Sequence, residues 1–176
     1  MAYALSGSGG LTKSGSGTLT LTSTNTYSGP TAVNAGTLTL TGTAANSAFH
    51  INNGGTLTGT GTLGALTINS GGNVSPGNSP GTLTTGAETW NSGGSYTWEI
   101  NNATPGVNAA GTQWDLLNIS GGLQINATSG SKFTINLTSL TLGNVAGQAA
   151  NFSATSNYSF TFVTLTSGSI GGFSAD

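Results

Sequence analysis

Apolar and polar residues alternate along much of this chain with a period of two. In Gly17–Gly42, GTLTLTSTNTYSGPTAVNAGTLTLTG, Leu19 and Leu21 alternate with Thr18, Thr20 and Thr22, and nineteen residues later Leu38 and Leu40 alternate with Thr37, Thr39 and Thr41. Such alternation gives a strand one apolar and one polar face. A phrase that returns at a fixed interval is the mark of stacked repeats. The chain can be aligned on one apolar position at Leu19, Leu38, Leu57, Val74 and Tyr96, and on a second at Val33, Ile51 and Ile68, each three residues before a glycine. Two registered positions per repeat predict at least two inward-facing strands per turn of a single-stranded parallel β-helix, an all-β solenoid.

The punctuation fits the same reading. Asn25, Ser28, Gly29 and Pro30 close one strand, and Asn52, Asn53, Gly54 and Gly55 form a turn. Asn and Gly accept the positive φ that tight corners need. Stacked Asn at equivalent corners would hydrogen-bond along the axis as a ladder. Residues 3–16 read as a partial coil, with Leu5 and Leu11 inward and Lys13 near the first edge. VSPGNSPGTL at 74–83 breaks the rhythm, and Pro76 and Pro80 predict a bend or a sheet edge there. Beyond it, aromatic residues accumulate and the expected strands lengthen: SYTWEIN at 95–101, DLLNISGGLQIN at 115–126, KFTINLTSLTL at 132–142 and YSFTFVTLT at 158–166. Two exposed loops are expected at 101–113 and 143–157. The expected organisation is one solenoid domain over 1–176, with regular coils of about nineteen residues at 3–75 and broader, aromatic-rich coils at 76–176.

Composition sharpens this. Gly, Thr, Ser and Asn make up more than half of the chain, and charged residues only 3%. Disordered chains usually combine low hydrophobicity with high net charge; here the formal charge is −2 and the apolar residues keep register. No window has helical apolar spacing. With Lys13 and Lys132 as the only cations, nucleic-acid binding is not expected. No apolar run is long enough for a membrane-spanning helix, and no signal peptide is visible.

GTLTL at 17–21, Asn25-Thr26-Tyr27, Gly29, Thr31, Val33 and Gly36-Thr37-Leu38 resemble the autotransporter-associated β-strand repeat of bacterial passenger proteins. Pro30 departs from that pattern, which usually has another small residue there. PGNSPGTL at 76–83 and Trp114-Asp115-Leu116-Leu117 resemble elements that follow such repeats. The resemblance implies a right-handed parallel β-helix outside the cell or on its surface, serving as stalk, adhesin or carrier, with export signal and anchor outside this fragment.

Candidate chemistry is sparse. Glu88, Glu99, Asp115 and Asp176 are all the acids. Glu88 and Glu99 flank one turn and read as isolated surface acids; the sharper reading sets them face to face across it. A lyase-like site would need clustered carboxylates and a basic residue, and the chain has no arginine, so neither catalysis nor a cofactor is expected. His50 is the lone histidine and, with Phe49 and Ile51 inward, points outward, without partners for a metal. The outward residues Thr18, Thr20, Thr22, Thr37, Thr39, Thr41, Thr56 and Thr58 form the candidate binding face, a hydroxyl array with the spacing of stacked strands that suits ice. Exposed Tyr27, Trp90 or Trp114 would stack on a glycan, whereas Trp98 fits the core. Open strand edges guarded only by Lys13 and Asp176 predict end-to-end stacking of copies. The function expected is a structural and adhesive stalk segment, with an ice- or glycan-binding module as the alternative.

Overall fold

The computed structural model describes residues 3–104 and 109–172, so Phe173 and Asp176 lie outside the described residues. These residues form strands joined by corners, with no α-helix among them. Three strands make one coil. Coil one holds β1 (Leu11–Lys13) and β2 (Thr18–Leu21), and Thr24 bridges to the next coil. Coil two is β3 (Thr31–Val33), β4 (Gly36–Leu40) and β5 (Thr43–Ala44); coil three is β6 (Phe49–Ile51), β7 (Gly55–Gly59) and β8 (Thr62–Leu63). Coil four is β9 (Leu66–Ile68), β10 (Asn73–Pro76) and β11 (Thr82–Thr85). Coil five is β12 (Glu88–Asn91), β13 (Ser95–Ile100) and β14 (Leu116–Ile119). Coil six is β15 (Leu123–Asn126), β16 (Thr134–Ser139) and β17 (Val163–Leu165), and β18 (Ile170–Gly171) starts another turn.

Stacking these coils produces three sheets whose strands all pair in parallel. The first runs β1-β3-β6-β9-β12-β15-β18, the second β2-β4-β7-β10-β13-β16, and the third β5-β8-β11-β14-β17. The chain is therefore a parallel β-solenoid. The expected columns hold residue for residue: Leu19, Leu38, Leu57, Val74 and Tyr96 are successive partners in the second sheet, and Val33, Ile51 and Ile68 in the first. In-register stacking puts each apolar residue on its own kind, and Val33, Leu38, Ile51, Leu57, Ile68 and Val74 are all fully buried. The third strand escaped the sequence reading because β5 and β8 are two residues long, too short to show alternation.

Coil length grows from the fourth coil onwards. Successive partners in the first column, Leu11, Thr31, Phe49, Leu66, Glu88, Leu123 and Ile170, are separated by 20, 18, 17, 22, 35 and 47 residues. Most of the added chain in coils five and six enters at one corner, between the second and third strands. The two insertions pack together: the Ala103 amide donates to Ala150 O at 2.8 Å, and the Ala150 amide to Asn101 O at 2.9 Å. Asn101 and Ala103 are buried as a result, against the expectation of an exposed loop, whereas 143–148 is exposed. The interior changes from aliphatic to aromatic where the coils widen, as Trp90 follows Ile68 and Tyr96 follows Val74.

Other expectations need correction. The bend expected within 74–83 is there, at 78–80 with Pro80 in it, but Pro76 ends an interior strand, in register with Gly59 of β7. The ladder from β10 to β13 stops earlier, at Val74, so the missing N–H costs nothing there. The bend falls just after, where Gly59 and Gly77 exchange backbone hydrogen bonds of 2.9 and 2.8 Å. DLLNISGGLQIN is two strands, β14 and β15, because Ser120-Gly121-Gly122 forms a corner. Only Val163–Leu165 of YSFTFVTLT is strand.

Candidate functional site

The outward threonines lie on the second sheet. Parallel pairing sets Thr18 beside Thr37 and Thr37 beside Thr56, and Thr20 beside Thr39 and Thr39 beside Thr58. β-Branched side chains suit an exposed strand face, and neighbouring strands lie about 4.8 Å apart. Two files of hydroxyls thus cross three coils. Thr39 Oγ1 and Thr58 Oγ1 share a hydrogen bond of 3.1 Å. Thr22 and Thr41 lie just past the ends of β2 and β4, so they extend the face without belonging to its registered files. In coils four and five the files continue as Asn73, Ser75 and Ser95. Asn73 Oδ1 accepts from Ser95 Oγ at 2.9 Å and Thr97 Oγ1 at 3.1 Å. The threonine face therefore spans three coils only.

An amide ladder climbs the corner after the first strand from coil two to coil six. Asn52 Nδ2 donates to Asn34 Oδ1 (2.7 Å), Asn69 to Asn52 (2.8 Å), Asn91 to Asn69 (2.9 Å) and Asn126 to Asn91 (3.1 Å). An amide side chain donates and accepts at once, so one residue type repeated in register satisfies itself.

The aromatic candidates for sugar stacking are not exposed. Tyr27, Trp90 and Trp114 are all buried, as is Trp98. Tyr27 Oη bonds Thr31 Oγ1 at 2.6 Å, and Trp114 Nε1–H donates to Thr161 O at 3.1 Å. Each polar tip has a partner inside, which lets the ring leave solvent. Lys13 was expected to guard the first edge as a charge. It is buried instead, in register with Val33, and its ammonium donates to the carbonyls of Gly15 (2.7 Å), Ala35 (2.9 Å) and Ser14 (3.2 Å). Thus it closes the corner below the ladder. Lys132 is exposed. His50 stands between buried Phe49 and Ile51 and faces out, beside Ala32 and Thr67.

Glu88 overturns its surface reading, and Asp115, for which none was made, is buried too. Glu88 occupies the inward first column between Leu66 and Leu123 and is 2% exposed. Trp90 Nε1–H donates to its Oε2 at 2.6 Å, and Thr85 Oγ1 lies 2.7 Å from its Oε1. Burial pushes its pKa up to about 7, with the Thr85 and Trp90 bonds pulling the other way. Asp115 is fully buried; its carboxylate accepts from the amides of Gly81 and Glu99, both at 2.9 Å. Burial pushes it up to about 8 despite those two donors. Asp115 thus ties Gly81 of coil four to Glu99 of coil five. Glu99 itself is half-buried, and burial raises its pKa too. A signal for Glu88 existed: in Glu88-Thr89-Trp90 the acid shares the face of Trp90, which follows Ile68 in an inward column. Among the described residues no three His, Cys, Asp or Glu side chains group as metal ligands.

The last coil leaves its interior open. A groove of about 420 Å³ is lined by Trp90, Leu123, Phe133, Ile135, Phe162 and Ile170, among others. Ile135, Leu137, Phe162 and Ile170 are 38%, 75%, 37% and 49% exposed.

A stack of three parallel sheets with an amide ladder along one outer corner defines the class: a β-solenoid built from sequence repeats. Residues 11–40, which run from β1 to the end of β4, match the passenger-associated-transport-repeat family. The chain thus carries a repeat of the autotransporter passenger type, and that repeat coincides with coil one and the first two strands of coil two. No curated protein matches the chain.

Proposed function

We propose that this chain is a structural and adhesive stalk segment of a bacterial surface or secreted passenger protein, acting outside the cell without catalysis. The passenger-type repeat at 11–40 supports the setting. One observation carries the stalk reading: three sheets continue through successive coils in a single register, so each coil rests on its neighbours and length is set by coil number. Such a segment holds other parts away from an anchor and offers an uncharged, hydroxyl- and amide-rich surface. Four tandem copies of residues 31–48, inserted after Ala48, are expected to leave the chain folded and to lengthen it by about 19 Å in solution scattering. A collapsed or unfolded product would refute the reading. Stacking of copies through the open last coil belongs to the same proposal.

The registered files Thr18–Thr37–Thr56 and Thr20–Thr39–Thr58 favour one other reading, an ice-binding face. It requires purified protein to slow ice recrystallisation, and loss of that effect in Thr37→Lys; an inert wild type removes it.

A further inference from the structure

The geometry around Glu88 points to a proton held in the core: we propose that Glu88 is built in as an uncharged carboxylic acid, and that its ionisation loosens coil five against coil six. The hydrogen count supports the acid form. Thr85 Oγ1 lies 2.7 Å from Glu88 Oε1 and 3.1 Å from Gly86 O. A hydroxyl has one hydrogen. With Glu88 ionised, that hydrogen serves only one of two acceptors. With Glu88 protonated, the acid donates to Thr85 Oγ1, Thr85 donates to Gly86 O, and Trp90 Nε1–H still donates to Oε2 at 2.6 Å. Every group is then satisfied and no charge is buried.

The surroundings offer a carboxylate nothing in return. In its own column Glu88 faces Leu66 and Leu123. From β11 it meets Thr85, which is fully buried and in register with Ile119. From its own strand it meets Trp90. The ionisable group that senses it is Tyr96 on β13, whose pKa is raised by burial and then by Asp115 and Glu88, so its phenol stays neutral and offers no positive charge. Lys132 lines the groove next to Trp90 and Phe133 but is exposed at its rim. Trp90 is the mechanical link. It holds Glu88 through its indole N–H and stacks on Phe133 of coil six at 4.5 Å and 13°. A charge on Glu88 draws water or the carboxylate outward and disturbs that stack, which forms one wall of the open groove.

The sign follows from burial. The folded chain keeps a proton to about pH 7, whereas the unfolded chain releases it near the ordinary value of 4.5. Stability from this group is therefore fully present below the ordinary carboxylate range and is lost as pH rises towards 7. The solenoid is an acid-tolerant, alkali-sensitive device at its wide end.

The test compares wild type with Glu88→Gln and Glu88→Met in urea unfolding from pH 5 to pH 8. Gln donates to Thr85 Oγ1 and accepts from Trp90; Met removes the ionisable group without replacing the bonds. The ratio of folding constants, either variant over wild type, is expected to rise on the order of 10²-fold over this range. Asp115 and Glu99 are common to all three proteins and cancel in the ratio. A ratio constant with pH in both variants overturns the proposal. Infrared spectra of the wild type minus those of Glu88→Gln isolate this carboxyl from Asp115 and Glu99: a protonated carboxyl band missing from the variant is expected at pH 5 and largely lost by pH 8, and its absence at pH 5 would equally overturn the proposal.

Discussion

Asn69 stands in the middle of the amide ladder, and replacing it with alanine isolates what the ladder contributes. The change deletes two bonds, the 2.8 Å donation to Asn52 Oδ1 and the 2.9 Å acceptance from Asn91 Nδ2. Each neutral hydrogen bond contributes about 0.5–1.5 kcal/mol net. Asn52, Asn69 and Asn91 are half-buried, so water recovers part of what is lost. The expected cost is about 1–2 kcal/mol. Asn34→Ala removes only the terminal 2.7 Å bond, at an exposed position, and is expected to cost about half as much. Ser70→Ala, one residue along and exposed, serves as the neutral control.

Urea denaturation followed by far-UV circular dichroism reads these differences. The slope of free energy against urea must stay constant among variants, because a solenoid can lose coils separately and then no single unfolding free energy applies. With constant slopes, the midpoints should fall in the order Ser70→Ala, Asn34→Ala, Asn69→Ala. If Asn69→Ala unfolds at the midpoint of Ser70→Ala, the ladder is a by-product of register and contributes no stability.

Two further outcomes are expected. Leu137 is 75% exposed on β16, a strand whose one partner among the described residues is β13, so Leu137→Lys should leave the thermal midpoint unchanged while weakening self-association at least tenfold in sedimentation equilibrium; a wild type that stays monomeric at high concentration refutes stacking. Gly59 has φ +110° and leaves no room for a Cβ against Leu40 O of the preceding coil, so Gly59→Ala should cost about 1–3 kcal/mol from backbone strain alone, with the clash adding to it, and an unchanged thermal midpoint would contradict that packing.

How far the sequence could be read depended on whether a signal repeated. The columns through Leu38 and Ile51 were legible because parallel stacking copies one position onto the next. The amide ladder was legible for the same reason, since Asn recurs one residue after each inward Val, Ile or Trp. The third sheet was not, because β5 and β8 show only two residues each. The burial of Trp90 and Trp114 was missed because coil length is changing there, and that of Tyr27 because it lies in a corner outside the alternating strands. The misplacement of Lys13 and Glu88 had another cause. Both occupy positions that alternation assigns to the interior, but charged residues are almost never fully buried unless paired. Lys13 is kept inside by three carbonyls, and Glu88 by its bonds to Thr85 and Trp90. Those partners are visible only after the corners have been built.

The three corners of each coil solve the same problem differently. A corner interrupts the sheet and leaves backbone and side-chain polar groups without ladder partners, which must be satisfied if the core is to stay dry. After the first strand, the answer is external: asparagine amides bond to one another up the outside. After the second strand, coils five and six insert long segments that pair with each other. After the third strand, the answer is internal. There Asn25 Nδ2 donates to Ser23 O and Thr43 O, Ser47 Oγ donates to Gly29 O, and Ser120 Oγ donates to Thr85 O. Thr85 and Glu88 belong to this same inward-turned corner. The chain changes there from a coil with an aliphatic core to the first with tryptophan in its core. A small hydroxyl suffices where Ala44 and Leu63 line the third sheet. Where Trp90 enlarges the cross-section, its indole N–H adds a donor that needs an acceptor within the core. A carboxylic acid supplies that acceptor on one oxygen and donates from the other, at a reach that the shorter side chains of serine and asparagine do not have. The buried acid is therefore a consequence of widening the coil.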